Sequence, residues 1–136
     1  MGPSLQSLED QYMLLTQQLP MTLAACTTLM RAPVGVIIAV PGGKDFMLGV
    51  LDEITAIATA QGHTPRGAFA ERIRGMLTAE GSQMTASMFR DIKAGAEVEA
   101  DHVIGDLIVR GDAAKVPVPK LRVAYTQLKA YQKQRG

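Results

Sequence analysis

The sequence predicts an all-α domain of six to seven helices. Apolar residues recur at steps of three or four along most of its 136 residues, which is the helical period. Aromatic residues make up only 4%, tryptophan is absent and methionines number eight, so flexible aliphatic side chains fill the core, as suits packed helices. Residues 35–40 have the composition of a strand but no second strand to pair with, so we expect an apolar connector there.

The length and charge of the chain limit its organisation and its partners. A chain of 136 residues is expected to form one domain with one core. Residues 1–4 are interpreted as the start of the chain or a cloning remnant, which leaves residues 5–136 as the helical domain. Lysine and arginine number 14 against 13 acidic residues, so the formal net charge of +1 does not favour a nucleic-acid partner.

The most apolar window, residues 19–40, raises the question of a membrane segment. Pro20, Arg31 and Pro33 interrupt it, whereas a spanning helix needs about twenty mostly apolar residues without such a break. No membrane association is therefore expected.

The single Cys26 cannot form an internal disulfide, and no charged start followed by an apolar run and a cleavage site marks export, which favours a cytoplasmic location.

The first predicted helix begins near Leu5 and is long. Pro20 predicts a kink, or two helices end to end, near Leu19, because proline lacks an N–H and its ring clashes with the preceding turn. Pro33 and Gly35 end the helix. The apolar stripe of this helix consists of residues at steps of three or four: Tyr12, Leu15, Leu19, Leu23, Cys26 and Met30.

Two helices are predicted in the middle of the chain, after a turn at residues 41–45 that lacks the glycine spacing of a phosphate-binding loop. The clearest amphipathic helix covers residues 44–61 and ends at Gly62. Its solvent face is expected to hold Asp52, Glu53, Thr55 and Thr59. Thr64 and Pro65 open the next helix. The inward face of that helix is formed by Phe69, Ile73 and Met76 or Leu77, with Ser82 as the following N-cap.

Three further helices are predicted in the C-terminal part of the chain. The first buries Met84, Met88 and Ile92. It ends at Gly95. The next helix follows an acidic link and is expected to end at Gly111. The apolar residues of that second helix are Val103, Ile104, Leu107 and Ile108. Residues 116–119 must be extended, because a residue before proline leaves the helical region, and the final helix starts at Pro119.

Polar side chains cluster on both sides of Gly95 and are candidates for a site. Ser87 and Asp91 lie one helical turn apart on the same side of their helix. Glu99 and Asp101 follow the loop, at or before the first turn of the next helix. Acidic residues there also stabilise a helix through its dipole, so the residues alone leave both interpretations open.

Other residues with chemical potential carry weaker signals. Cys26 lies in an apolar stripe and is best interpreted as a small buried hydrophobe. His102 and Asp106 are one turn apart, but they and Glu99 lack a recognisable metal-ligand spacing, so no metal site is expected. Arg31 follows the first helix and is suited either to bind a carboxylate or to cap the helix end.

Three segments together resemble a known family. They are Ser87-Met88-x-x-Asp91-Ile92, then Glu99-x-Asp101 with Gly105, and Val116-Pro117-Val118-Pro119. With the long first helix that ends in an Arg-x-Pro-x-Gly turn, this order resembles the C-terminal helical domain of ketopantoate reductases (2-dehydropantoate 2-reductases) over nearly the whole chain. The resemblance implies the helical fold of the 6-phosphogluconate dehydrogenase C-terminal-like class.

The resemblance also implies a function. In this family the helical domain follows an N-terminal Rossmann domain that binds NADPH, and the two close over a 2-keto acid that is reduced to an alcohol in pantothenate biosynthesis. By position, Ser87 matches a serine that contacts the substrate and Glu99 matches the acid that supports the catalytic centre. Arg31 is then a candidate for binding the substrate carboxylate. A homo-oligomer, and a dimer in particular, is also implied.

The sequence departs from this family where the proton donor is expected. The family lysine falls near Met13, and no lysine precedes Lys44. The family asparagines fall near Gln17 and Arg31, and another falls at Ile104, in a chain without any asparagine.

We therefore expect the substrate-side domain of an NADPH-dependent reductase, inactive without a Rossmann domain in cis or in trans. One alternative is a non-catalytic helical module for interaction or dimerisation, and another is a divergent reductase of the same superfamily with a different proton donor and a different keto acid.

Overall fold

The chain folds into helices joined by turns and short extended segments. The computed structural model describes residues 4–64 and 67–135, and no strand occurs within these ranges. Seven continuous helices confirm the all-α prediction: α1 (residues 5–30), α2 (Val34–Ala39), α3 (Gly43–Ala60), α4 (Gly67–Leu77), α5 (Ser87–Lys93), α6 (residues 101–113) and α7 (Pro119–Arg135). Within the same ranges, no helix combines the length and apolar character needed to cross a membrane.

Helix α1 passes Pro20 without dividing. It is α-helical over Leu5–Met13, π-helical over Leu14–Gln18 and α-helical again over Leu19–Met30. A proline inside a helix removes one backbone hydrogen bond, and the wider turn just before it accommodates that loss. The irregularity predicted near Leu19 therefore takes the form of a π turn.

The apolar stripe predicted along α1 is wrong at both ends. Tyr12, Leu15 and Met30 are exposed, whereas every residue from 22 to 28 is buried. The three threonines in this buried stretch satisfy their hydroxyls inside the helix, on the carbonyls of Gln18, Leu23 and Ala24. Since α3, α5 and α7 all pack against it, this part of α1 is the central helix of the core.

Residues 35–40 are not the apolar connector that the sequence predicts, because most of them belong to α2. Val34 and Ile37 of this short helix are buried in the core. The amides of Val34 and Gly35 donate hydrogen bonds to the carbonyls of Met84 and Ser82, at 3.0 and 2.9 Å. A Cβ on Gly35 would lie 2.6 Å from the backbone nitrogen of Ser82, so this close approach requires glycine.

Helix α3 has nearly the bounds predicted, but one of its acidic residues faces the core. Asp52 is exposed, as expected for the solvent face, whereas Glu53 is buried. The carboxylate of Glu53 accepts hydrogen bonds from the backbone amides of Lys120 and Leu121, both at 3.0 Å. Because these amides belong to the first turn of α7 and have no partner within that helix, Glu53 caps α7 from a neighbouring helix.

The remaining helices largely follow the prediction. In α4, Ile73 and Leu77 are buried, while Pro65 and the side chain of Phe69 lie outside the description. Gly95 ends α5 with a φ of 72°. Residues 116–118 are non-helical and α7 starts at Pro119.

Two expectations in this part of the chain are wrong. Ser82 does not cap α5, which starts at Ser87; its hydroxyl accepts a hydrogen bond from the amide of Met84 at 3.2 Å. Helix α6 does not end at Gly111 but continues to residue 113. Gly111 is buried, and a Cβ there would lie 3.2 Å from the Val118 side chain, so this glycine lets α6 pack closely on the segment before α7.

Replacing Glu53 by alanine should destabilise the fold. The substitution leaves two amides of α7 without an acceptor in a buried place, which costs about 3 kcal/mol of unfolding free energy. Asp52→Ala is the matched control, because its exposed pair with Arg74 is worth about 0.5 kcal/mol or less. Urea denaturation followed by circular dichroism measures both; equal losses in the two variants would contradict the capping role of Glu53.

Candidate functional site

A pocket of about 310 Å³ opens between α1, α5 and α6. Helix α1 contributes five of its residues between Leu19 and Ala24, the segment that begins α5 contributes residues 85–88, and α6 contributes Val103. Ser87, which is the first residue of α5, is exposed at this wall. The serine singled out in the sequence therefore lines a concave site of the size that small metabolites occupy.

Backbone hydrogen bonds position Ser87. The preceding residue, Ala86, is extended and buried, and its amide donates to the hydroxyl of Thr27 on α1 at 3.2 Å. Thr27 in turn donates its hydroxyl proton to the carbonyl of Leu23 at 2.6 Å. One threonine thus ties the start of α5 to the wall of the pocket that α1 forms.

Glu99 lies in a different depression from Ser87. Its side chain is exposed, and its Oε2 atom lies 3.9 Å from Nε2 of His102. It lines a depression of about 250 Å³ together with residues 97–98 and three residues of α7. The backbone carbonyl of Glu99 accepts a hydrogen bond from the amide of Val103 at 2.9 Å, and Val103 lines the Ser87 pocket. The two candidate residues are thus linked through the first turn of α6, and a shared role for them stays a prediction.

Arg31 caps the helix that precedes it. The residue has a left-handed backbone conformation with φ 54°, and its Nε donates to the carbonyl of Thr28 at 3.0 Å. Of the two roles considered for Arg31, helix capping is therefore the one present in the fold. Arg31 is exposed and is not among the residues that line the Ser87 pocket, so its binding of a substrate carboxylate stays a prediction.

Asp101 forms a polar cluster with α7 that the sequence did not indicate. Its Oδ1 accepts a hydrogen bond from the Tyr125 hydroxyl at 2.5 Å, and its Oδ2 accepts one from Nζ of Lys129 at 3.1 Å. The bond from Tyr125, followed by that from Lys129, lowers the pKa of Asp101, and the same bond to Asp101 raises the pKa of Tyr125. Tyr125 and Lys129 stand one turn apart on α7, but nothing local in the sequence marks Asp101 as their partner.

The positions near which the family lysine and asparagines fall hold other contacts. Met13 lines a depression of about 270 Å³ with Leu8, Glu9, Tyr12 and His63, on the N-terminal part of α1. Gln17 accepts a hydrogen bond from Nη1 of Arg110 at 3.3 Å, which joins α1 to α6. Neither Met13 nor Gln17 lines the Ser87 pocket.

Thiol and metal chemistry find no support among the described residues. Cys26 is buried, as predicted, and burial, with a smaller contribution from the charge of Glu53, raises the pKa of its thiol to about 12. A thiol that stays protonated at neutral pH is not a nucleophile. In residues 4–64 and 67–135, no group of three or more histidine, cysteine or acidic side chains is arranged to hold a metal ion.

The glycine turn before α3 is closed by a backbone hydrogen bond. The amide of Gly43 donates to the carbonyl of Val40 at 3.0 Å, so it is not free to bind an anion. A Cβ on Gly43 would lie 1.7 Å from the carbonyl oxygen of Ile37, so glycine serves a close helix contact here. The Gly43 amide is therefore already bonded within the fold, and Gly43 serves the contact between α2 and α3.

Comparisons with known sequences identify the family of the chain. The family model described as ketopantoate reductase PanE/ApbA C terminal matches residues 13–132. A 2-dehydropantoate 2-reductase of Pyrobaculum aerophilum is 35% identical over 108 residues, which are 78% of this chain and 38% of that protein. The uncharacterized oxidoreductase YkpB of Bacillus subtilis is 29% identical over 109 residues, which are 80% of this chain and 36% of that protein.

Solved structures share the fold. A dimeric ketopantoate reductase from Staphylococcus aureus superposes with a TM-score of 0.77 at 20% identity, over 100% of this chain and 46% of that one. A D-mandelate dehydrogenase in a ternary structure with NADH and anilino(oxo)acetate superposes with a TM-score of 0.71 at 14% identity, over 87% of this chain and 39% of that one. In these comparisons the chain spans less than half the length of each relative.

The cluster around Asp101 predicts a shift that titration can detect. Tyr125→Phe should raise the pKa of Asp101 towards its ordinary value, because it removes the strongest hydrogen bond to the carboxylate. Since that pKa is lowered in the fold, the stabilisation is present above the ordinary aspartate value and is lost as the pH falls through the folded value. Carbon NMR of the carboxyl groups measures the shift. Tyr131→Phe is the control, because its hydroxyl binds the Ala96 carbonyl instead; equal effects of both variants would contradict the assignment.

Proposed function

The chain belongs to the ketopantoate reductase C-terminal family, and from this membership we propose that it is the substrate-side helical domain of an NADPH-dependent 2-keto acid reductase. The observation that carries the proposal is the pocket beside Ser87, the residue matched to the substrate-contacting serine of the family. A pocket with a hydroxyl at its wall can orient a carbonyl group through a hydrogen bond.

The nucleotide belongs to a different domain in this proposal. Because the chain matches the C-terminal part of the family, NADPH would be held by a Rossmann domain in cis or in trans. The helical domain would then close one side of the substrate cleft. We also propose that such a reductase acts in the cytoplasm.

Within this chain, the proposed contributions are binding and orientation. Ser87 would donate a hydrogen bond to an oxygen of the substrate, and Arg31 would face its carboxylate. Glu99 would support the catalytic centre. A positioned general acid is worth roughly a hundredfold or more in rate, and Met13, near which the family lysine falls, cannot supply a proton. We therefore propose that the isolated chain does not reduce keto acids.

The proposal is tested by substitution in the completed reductase, with the helical domain joined to or mixed with its Rossmann domain. Ser87→Ala and Glu99→Gln should each lower kcat/KM for the keto acid by about tenfold or more, because the first removes a hydrogen bond to the substrate and the second removes the negative charge that would support the catalytic centre. The measurement is the loss of NADPH absorbance. Glu97→Gln is the matched control, since Glu97 is an exposed neighbour paired only loosely with Arg135, at 3.8 Å. Unchanged turnover in both variants would contradict the roles proposed for Ser87 and Glu99.

A second function is favoured by an exposed apolar face on α1. Leu5, Leu8, Tyr12 and Leu15 follow one another at steps of three or four, and each is about half exposed or more. An apolar face of this kind is rarely left uncovered in a soluble protein. In the reductase we propose that the Rossmann domain covers it. In a non-catalytic module, a second copy of the chain would cover it and form a homo-oligomer.

Sedimentation of the purified chain tests the interaction module. If the chain is an interaction module, it should self-associate, and Leu8→Glu should abolish association by placing a charge in the apolar face. Val123→Glu is the control, because Val123 is an equally exposed valine on α7. A chain that stays monomeric at all accessible concentrations, or a Leu8→Glu variant that associates like the parent, would contradict the module.

A further inference from the structure

The walls of the Ser87 pocket differ sharply in chemistry. Eight of the ten residues that line it are apolar, and none is charged or carries an amide side chain. The two polar side chains, Thr85 and Ser87, both belong to the segment that begins α5. The wall formed by α1, with Val103 of α6, is entirely apolar. A ligand in this pocket meets hydroxyl groups on one side and hydrocarbon on the other.

This asymmetry fixes how an oxo acid would lie. Its keto oxygen would face the hydroxyls of Thr85 and Ser87, and its substituent would face α1 and Val103. A hydroxyl group on that substituent would be buried without a hydrogen-bond partner, which weakens binding. Each additional buried methylene, in contrast, tightens binding by about fourfold.

The apolar wall is rigid and large enough for a bulky substituent. The carbonyls of Leu23 and Ala24 are held by the hydroxyls of Thr27 and Thr28, and both of these threonines are buried. Thr27 also holds the opposite wall through the amide of Ala86. An apolar cavity of roughly 150 Å³ accommodates benzene. A pocket of about 310 Å³ therefore has room for a branched or aromatic group together with the oxo-acid head.

We propose that this pocket selects 2-oxo acids whose substituent is a branched or aromatic hydrocarbon over those whose substituent carries a hydroxyl group. The inference rests on the proposed function, because it assigns the substrate class of the same site. The residues that impose the choice are Leu19, Met21 and Leu23 on α1 and Val103 on α6. Ketopantoate, which carries a hydroxyl group on its substituent, is then a poor ligand of this domain.

Two ligands that differ by a single hydroxyl group test the inference. Ketopantoate and 3,3-dimethyl-2-oxobutanoate share the same carbon skeleton, and only the first carries the extra hydroxyl. Each is titrated into the 136-residue chain labelled with carbon-13 on its methionine methyl groups. Met21 and Met88 line the pocket and report binding, whereas Met30 and Met47 lie elsewhere and serve as internal references.

The expected result is a selective shift of the Met21 and Met88 signals. The hydrocarbon ligand should bind about tenfold more tightly than ketopantoate, the range over which an apolar pocket distinguishes an added hydroxyl. Met21→Gln, which changes polarity at similar size, should abolish this preference, and Met30→Gln should leave it intact. Val103→Thr, which keeps the side-chain shape, provides a second test and should also reduce the preference.

Two outcomes would overturn the inference. In one, ketopantoate binds as tightly as its hydrocarbon analogue; in the other, neither acid shifts the Met21 and Met88 signals. Both outcomes are independent of the proposed reductase, because these titrations contain no NADPH. Selective binding without turnover in the completed enzyme would contradict the proposed reductase function but not the pocket assignment. Turnover without selective binding would contradict only the pocket assignment.

Discussion

The fold depends on a buried carboxylate that joins two helices. Glu53 of α3 accepts the amides of Lys120 and Leu121, so the first turn of α7 is fixed against α3. Helix α7 then presents Tyr125 and Lys129 to Asp101. Because Asp101 opens α6, its position determines where the first turn of that helix lies, and that turn carries Val103 to the candidate pocket. One charge in the core is thus connected, through two helices, to the geometry of the site.

A second constraint lies in the central helix α1. Residues 22–28 of this helix are all buried, and the three threonines among them satisfy their hydroxyls by donating to carbonyls one turn earlier. Thr27 makes one further contact, because its oxygen also accepts the amide of Ala86. Through this bond the start of α5, and with it Ser87, is attached to the most buried part of the core. The pocket is therefore bounded by elements with little freedom to move.

The sequence predicted the features that depend on local chemistry. The bounds of α3, the end of α5 at Gly95 and the start of α7 at Pro119 follow from glycine, proline and helical periodicity. Features that depend on distant partners were not predictable. By its local pattern, Glu53 belongs to the polar face of α3. Its burial is favourable only because two backbone amides of α7 donate hydrogen bonds to it. The extended segment before Ser87 likewise contacts α2, which lies some fifty residues earlier in the chain.

The candidate site divides in the same way between what is predictable and what is not. Family resemblance singled out Ser87, and this residue lies in a pocket, but resemblance says nothing about the chemistry of the opposite wall. That wall is formed by α1, whose apolar residues have the helical spacing that predicts burial in the core. A residue can be counted as core by its pattern and still border a pocket, because the face of a buried helix that meets no other helix is left open to a ligand.

Binding and proton transfer make different demands on such a site. Selection of a substituent requires a rigid surface of matching polarity, which α1 and the start of α5 provide. Proton transfer requires an ionisable group within hydrogen-bond reach of the forming alkoxide, and the residues lining the pocket include none. If the chain acts in a reductase, the chemical step must therefore draw its acid from outside this pocket. In the proposed reductase, the helical domain would choose the substrate, and a group outside this pocket would complete the reaction.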